Sequence, residues 1–167
     1  ETGQTVTSDE GEELSKREYK GTKAYIYGIE YQFDYKLFET SNFLSVVKGF
    51  GDWIYGKNKT DDTFLPRFPP WRLGVGYYGQ GDNVTLNLSV VHFGEQDNIS
   101  PNETIGKSYT LLNSRFGYYL SKEKNPSELY LKINNITNEL AFVHTSSLKD
   151  FAPLPGRSIE IGLNMKF

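Results

Sequence analysis

The sequence predicts an all-β fold built from antiparallel strands, and three observations lead to that prediction. The 167 residues include twelve Tyr and eleven Phe, and aromatic residues favour strands. Apolar side chains recur at every second position, which is the period of a strand rather than of a helix. No stretch of the chain approaches the roughly 20 consecutive apolar residues that a membrane-spanning helix requires.

The clearest alternation lies in residues 24–37. Seven apolar or aromatic side chains share one face of this predicted strand: Tyr25, Tyr27, Ile29, Tyr31, Phe33, Tyr35 and Leu37. The opposite face carries four polar side chains: Glu30, Gln32, Asp34 and Lys36. Since successive side chains of a strand point to opposite sides of the sheet, this segment predicts a sheet with one apolar and one polar face.

The same period predicts six further strands. Five of them cover residues 71–78, 84–91, 110–120, 128–134 and 158–167. The sixth covers residues 43–55, where the alternation breaks at Val46 and Val47 and predicts a β-bulge or a shifted boundary. All seven prolines fall between these strands, as expected because a proline inside a strand removes a hydrogen-bond donor from the ladder.

The connections between the predicted strands alternate between short and long. The short ones cover residues 38–42, 79–83 and 121–127, and the long ones cover residues 56–70, 94–108 and 137–157. Residues 1–20 are rich in Glu, Asp, Thr and Ser and are predicted to be an extracellular loop segment, followed by the carboxy-terminal barrel strands in residues 21–167. Short turns on one side and long loops on the other are typical of a transmembrane β-barrel.

The two faces predict which side of the sheet contacts lipid. The polar face combines Asn, Ser, Thr and Gln with glycines that suit a wide lumen, namely Gly74, Gly76, Gly117 and Gly162. Aromatic residues near the strand ends would form the interfacial girdles of a membrane barrel. We therefore expect lipid to contact Tyr27, Ile29, Tyr31, Leu86, Leu88, Ile161 and Leu163. We expect the lumen to contain Glu30, Gln32, Asn87 and Glu160.

The last strand resembles the assembly signal of bacterial outer-membrane proteins. It ends in Phe167, preceded at every second position by Met165, Leu163, Ile161 and Ile159. This resemblance implies the outer membrane of a Gram-negative bacterium as the location, with the barrel assembly machinery and outer-membrane lipid as partners. Seven strands alone would leave two unpaired edges in a bilayer, where each unsatisfied backbone group costs several kcal/mol. We therefore expect the remaining strands to come from an amino-terminal part of the same protein.

Four segments resemble TonB-dependent receptors, in consistent order over roughly residues 24–167. Residues 65–74 read L-P-R-F-P-P-W-R-L-G, residues 110–113 read T-L-L-N, and residues 134–141 read N-N-I-T-N-E-L-A. Residues 144–157 read H-T-S-S-L-K-D-F-A-P-L-P-G-R, which resembles a closing segment of the zinc-import (ZnuD-type) subgroup.

The resemblance implies a barrel of 22 strands, with this chain supplying the last seven. It also implies an amino-terminal plug domain that is not in this chain. Such receptors bind a scarce metal or a metal chelate outside the cell and import it with energy delivered by TonB, which contacts the plug. Zinc is the implied transported ligand, and no covalently bound cofactor is implied. Uptake of a siderophore or haem by the same receptor class, and a passive porin or adhesin barrel, remain as alternatives.

His144 is the first candidate for a metal ligand. It lies in the last long loop with Glu139 and Asp150 nearby in sequence, and imidazole and carboxylate groups are suitable ligands for zinc. The spacing is not that of a defined metal motif, so a loop residue ordered by hydrogen bonds is the alternative interpretation. The other histidine, His92, continues the apolar face of residues 84–91 and is expected to point outward at the membrane boundary.

The sequence gives no sign of nucleic-acid binding or of enzymatic activity. A net charge of −3 provides no basic stripe that could neutralise phosphates. Neither histidine lies in a recognisable nucleophile motif, and no glycine-rich loop is present to cradle a phosphate. We expect that the chain is not an enzyme, with an outer-membrane protease or lipase as the competing class.

Overall fold

The computed structural model describes residues 4–15, 21–121 and 127–165, and all regular secondary structure in these residues is β-strand. In chain order the strands are β1 (Thr5–Thr7), β2 (Glu13–Ser15), β3 (Ala24–Glu39), β4 (Phe43–Asn58), β5 (Thr63–Phe64), β6 (Arg72–Gly81), β7 (Val84–Phe93), β8 (Tyr109–Tyr119), β9 (Glu128–Asn134) and β10 (Ser158–Asn164). Across these residues no helix is long and apolar enough to cross a membrane.

One antiparallel sheet contains eight of these strands. Its path runs β10-β9-β8-β7-β6-β4-β3, and the two-residue β5 pairs with the end of β4 beside this path. Each neighbour along the path is the next long strand in the sequence, so the chain forms an up-and-down meander. The seven predicted strands and their antiparallel order are confirmed.

Three short strands were not predicted. β1 and β2 form a separate two-stranded sheet within residues 4–15, in the acidic segment that the sequence predicted to be a loop. β5 lies in the long connection between β4 and β6 and places Thr63 opposite Asn58. Strands of two or three residues are too short to produce a readable alternation, because one repeat already needs two positions.

The β-bulge lies on β3 and not on β4. The register between these strands shifts between Lys36 and Phe38, which face Val46 and Ser45. Leu37 is therefore the extra residue, and the prediction of a bulge at Val46 and Val47 was wrong about the strand. A bulge is a mismatch between two strands, so one segment of sequence does not reveal which strand carries the added residue.

The register assigns every side chain of the sheet to one of two faces. Tyr27 lies opposite Tyr55, and the same face continues through Leu88 of β7 to Ile161 of β10. All seven side chains expected to contact lipid lie on the apolar face, and Glu30, Gln32, Asn87 and Glu160 lie on the other face. Tyr27 is 52% exposed and Ile161 is 74% exposed, so the apolar face is not packed inside a closed core.

The sheet has little interior of its own. Among the residues that the structure describes, only Tyr109 and Ala141 are buried apolar side chains. A large contiguous apolar surface is rare on soluble proteins and marks contact with another apolar phase. This single layer therefore depends on material outside the described residues to cover its apolar face.

Aromatic rings from neighbouring strands lie over several glycines. The ring of Phe33 on β3 covers Gly49 on β4, and Tyr31 covers Gly51 in the same way. On the polar face, Gly74 lies under the ring of Phe50. Gly74 was interpreted from the sequence as part of a wide lumen, but its lack of a side chain instead makes room for an aromatic ring. A ring that packs over a glycine of the neighbouring strand helps to fix the register of the two strands.

We expect Gly49→Ala to destabilise the sheet by about 1–3 kcal/mol, because its Cβ would collide with the Phe33 ring and overpacking forces strain. Folded and heat-denatured protein are distinguished by their different mobilities in gel electrophoresis. The temperature at which the mobility changes from that of the folded form to that of the unfolded form measures this effect. The matched control is Gly76→Ala, whose Cβ would meet no atom closer than 3.4 Å. Equal transition temperatures for the two variants would contradict the prediction.

Candidate ligand site at the long loops

Three long connections lie at the same end of the sheet, because alternate connections of a meander share one end. We call them loop A (residues 59–71, including β5), loop B (residues 94–108) and loop C (residues 135–157). Polar side chains join them in sequence order, from loop A to loop B and from loop B to loop C. The candidate metal ligands lie in loop C.

Gln96 joins loop B to loop A. Its buried side-chain amide donates hydrogen bonds to the carbonyl oxygens of Phe68 at 3.1 Å and Pro69 at 3.0 Å. Its backbone forms a bridge with Gly106, with N–O distances of 2.8 and 3.0 Å. The same residue therefore closes loop B on itself and fastens loop B to loop A.

Glu103 makes a second connection between loops A and B. Its carboxylate accepts a hydrogen bond from the Arg67 backbone N–H at 2.7 Å and another from the Ser100 N–H at 3.0 Å. Burial raises the pKa of Glu103, but the hydrogen bonds from Ser100 and Arg67 and the charge of Lys149 together outweigh burial, so the pKa lies below its ordinary value. Glu103 is therefore an ionised group held at the junction of two loops.

Loop C is fastened to loop B through Thr104. The Thr104 hydroxyl donates to the Asp150 carboxylate at 2.5 Å, and the Lys149 ammonium donates to the Thr104 carbonyl oxygen at 2.6 Å. The ring of His144 lies directly against Gly106, where any larger side chain would collide with it. Hydrogen bonds therefore connect loop A to loop B and loop B to loop C.

His144 lies at the centre of this junction and is only 4% exposed. Its Nδ1 is 3.3 Å from the Lys149 ammonium. Because an ammonium group can donate hydrogen bonds but not accept them, Nδ1 is the acceptor and the neutral ring carries its proton on Nε2. Nε2 points at Glu103 Oε1 from 3.8 Å, which is too long for a hydrogen bond. Within the described part of the chain, Nε2 has no hydrogen-bond partner.

The pKa of His144 is lowered from its ordinary value of 6.5. Burial is the main cause and the charge of Lys149 adds to it, while Glu103 and Asp150 act in the opposite direction. The imidazole is therefore neutral at neutral pH, and its unprotonated nitrogen, Nδ1, faces the Lys149 ammonium.

A cavity of about 450 Å³ lies between loops B and C, and all three predicted metal ligands, His144, Glu139 and Asp150, line it. The remaining lining includes Lys149 and the apolar Leu140. Across residues 4–15, 21–121 and 127–165, however, no three His, Asp or Glu side chains converge closely enough to hold a metal ion. A metal-binding role for these residues stays a prediction. Sequence reasoning missed Glu103, because no local spacing connects it with His144.

Asn135 explains why the N-N-I-T-N segment closes loop C. Its side chain donates to the carbonyl oxygens of Glu139 at 2.9 Å and Pro155 at 3.3 Å, and accepts from the Glu139 N–H at 2.9 Å. Its own N–H donates to Asn113 on β8 at 2.8 Å. Asn135 has a φ of 51°, a left-handed conformation that asparagine tolerates better than most residues. One buried residue therefore holds both ends of loop C against the sheet.

Four of the other predicted positions lie on the apolar face. His92 shares that face with Leu88, and its Nδ1 is 2.8 Å from the Thr110 hydroxyl. Ile159, Ile161 and Leu163 of the predicted assembly signal lie on the apolar face of β10. Met165 follows β10 and is exposed. Phe167 lies outside the described residues.

The chain therefore belongs to a structural class with one antiparallel sheet, one apolar and one polar face, and interlocked loops at one end. No family model matches the sequence. Among solved structures the fold is similar to that of the copper transporter OprC, with a TM-score of 0.77 and 19% sequence identity over 87% of this chain. The chain spans 23% of the length of that transporter's chain. At this level of identity, the similarity shows a shared fold.

We expect Asn135→Ala to loosen loop C, because the change leaves buried backbone groups at Glu139 and Pro155 without partners, at a cost of about 1–3 kcal/mol per group. Faster proteolytic cleavage within residues 137–157 of the folded protein would show this effect. Asn98→Ala is the control, since the exposed Asn98 side chain makes no hydrogen bond to the described residues. The same cleavage rate in both variants would contradict the prediction.

We also expect the stability contributed by His144 to depend on pH. Its folded pKa is depressed, so the unfolded chain takes up the proton first and stability falls as the pH drops below about 6.5. Thermal unfolding midpoints of wild type and His144→Gln, compared from above pH 7 down to about pH 5, test this prediction. The wild type should lose more stability on acidification than the variant, and parallel pH profiles would contradict the assignment.

Proposed function

We propose that this chain forms the carboxy-terminal part of an outer-membrane β-barrel that imports a metal ion, with zinc as the metal. The observation that carries the proposal is the fold shared with a copper transporter over 87% of the chain. The apolar face that crosses all seven long strands supports a location in a lipid bilayer. Long loops at one end and short turns at the other support a Gram-negative outer membrane, with the loops outside.

The two edges of the sheet support a larger barrel. Within the described residues, β3 pairs only with β4 and β10 pairs only with β9. Unpaired strand edges are not stable in the hydrocarbon region of a membrane. We propose that an amino-terminal part of the same receptor pairs with both edges, contributes the plug inside the barrel and contacts TonB. The 23% share of the copper transporter's length that this chain spans is consistent with this arrangement.

The ligand chemistry of this chain favours zinc over Cu(I). The sequence contains no cysteine and one methionine, whereas soft sulfur ligands are those that select Cu(I). The cavity lining includes His144, Glu139 and Asp150 beside the cations Lys107 and Lys149, and the nitrogen and oxygen ligands in this set suit zinc. Glu103 adds a further negative charge beside His144. We propose that these groups attract and briefly hold the ion before it enters the barrel.

A metal chelate is the second candidate cargo. The loop cavity of about 450 Å³ is far larger than a bare ion, and its lining includes apolar side chains such as Ile105, Leu140 and Phe142. Ligand sites for organic molecules combine an apolar lining with a few polar groups in this way. Uptake of a siderophore or haem would use the apolar side chains of the cavity. A passive porin or adhesin would need neither the apolar side chains nor the polar groups of this cavity.

Deleting the gene in its native host and measuring uptake of zinc, copper and ferric chelates tests the proposal. We expect zinc uptake to fall on deletion and also on removal of TonB. We expect His144→Ala to reduce zinc affinity by about tenfold, with the surface amount of protein unchanged. His92→Ala is the control, since that histidine lies on the apolar face. Zinc passage that persists without TonB would contradict active import, and TonB-dependent uptake of ferric chelates alone would favour the second candidate.

A further inference from the structure

Three lysines lie together on the apolar face, at the end of β3 and β4 that carries the long loops. Lys57 pairs with Tyr25 across the two strands, and the Lys59 N–H donates to the Lys23 carbonyl oxygen at 2.7 Å one step further along. Because side chains alternate, Lys23 and Lys59 are on the same face as Tyr25 and Lys57. The Lys59 ammonium lies 5.1 Å from the centre of the Tyr25 ring, which agrees with this placement.

A cluster of aromatic rings continues the apolar face directly below these lysines. Tyr25 and Tyr27 stack with ring centres 5.9 Å apart, and Tyr27 lies 5.2 Å from Tyr55 and 5.7 Å from Trp53. Tyrosine and tryptophan with an apolar body and a polar tip are typical of the boundary between lipid tails and headgroups. The lysines therefore lie at the depth where headgroups would be.

Among the residues that the structure describes, Asp62 is the one carboxylate that forms an ion pair with these lysines. Lys57 pairs with Asp62 at 2.6 Å, but the Asp62 side chain is 86% exposed, and such surface pairs contribute little. Within residues 4–15, 21–121 and 127–165, neither Lys23 nor Lys59 has a carboxylate partner. Lys23 and Lys59 face each other just beyond the paired ends of β3 and β4. Like charges on facing positions repel each other, and a bound anion would reduce that repulsion.

The opposite end of the same two strands differs in charge. Phe38 and Phe43 stack there with ring centres 5.7 Å apart. The lysine near that end, Lys36, lies on the polar face and is paired with Glu39. Of the two ends of this fully described hairpin, only the one with long loops presents cations to the apolar side.

We propose that Lys23, Lys57 and Lys59, which we call the lysine patch, bind the phosphate of an anionic lipid whose acyl chains lie along the apolar face beneath. The inference rests on the proposed membrane barrel and adds a lipid site to it. A lipid fits better than free phosphate because the patch continues without a break into the ring cluster. Each lysine near an anionic membrane surface contributes about a fivefold increase in binding.

Native mass spectrometry of the intact barrel protein in detergent tests the lysine patch. The probes are diphosphorylated lipid A and the same lipid with its phosphates removed. The test variant combines Lys23→Gln, Lys57→Gln and Lys59→Gln, and the control is Lys36→Gln. We expect wild type and the control to retain the phosphorylated lipid at least about tenfold more tightly than the dephosphorylated one, and the triple variant to lose most of that preference.

Equal retention of the two lipids by wild type, or an unchanged preference in the triple variant, would overturn the proposal. Displacement of lipid A by inorganic phosphate at comparable concentration would assign the patch to free phosphate and would overturn it as well. Heat-dependent electrophoretic mobility checks that each variant is folded. A barrel that inserts into liposomes and imports zinc but ignores lipid phosphate would refute only this inference, whereas a protein that stays dissolved without detergent would refute the proposed function too.

Discussion

The backbone ladder that runs from β3 to β10 is the constraint on which the rest of the structure depends. Each pair of partners in the ladder places two side chains on the same face, so the apolar surface exists only while the register holds. A shift by one residue would turn Ile29 and Ile161 to the polar side. The one irregularity between β3 and β4, at Leu37, lies near the turn, where it leaves the aromatic cluster at the other end of these strands in register.

Charged pairs on the polar face reinforce the same register. Lys48 on β4 lies 3.2 Å from Asp34 on β3. Further along the sheet, the Arg115 guanidinium donates two parallel hydrogen bonds to Glu128, at 2.8 and 2.7 Å. Forked contacts of this kind require a defined geometry. Charged pairs between neighbouring strands therefore favour the observed register over a shifted one.

Features that depend on neighbouring residues could be predicted from the sequence, and features that depend on distant ones could not. The seven long strands could be predicted from the alternation of apolar and polar residues. This alternation lies within each segment and does not depend on which strands pair with it. The position of the bulge and the pairing of β5 depend on which strands meet, and both were missed. In the candidate site, His144 and Asp150 were predicted and do line one cavity. Glu103 and Gln96, which determine how the loops meet, come from a different loop, and their roles follow from tertiary contacts alone.

The interlocked loops have a consequence for engineering the exposed end of this protein. Loop B is hydrogen-bonded to loop A through Gln96 and to loop C through Thr104, so a peptide inserted into loop B would disturb three segments together. The turn between β1 and β2, closed by hydrogen bonds between Ser8 and Glu12, belongs to a sheet of its own. An epitope tag or a fluorescent label placed in that turn would leave the contacts among the three loops intact.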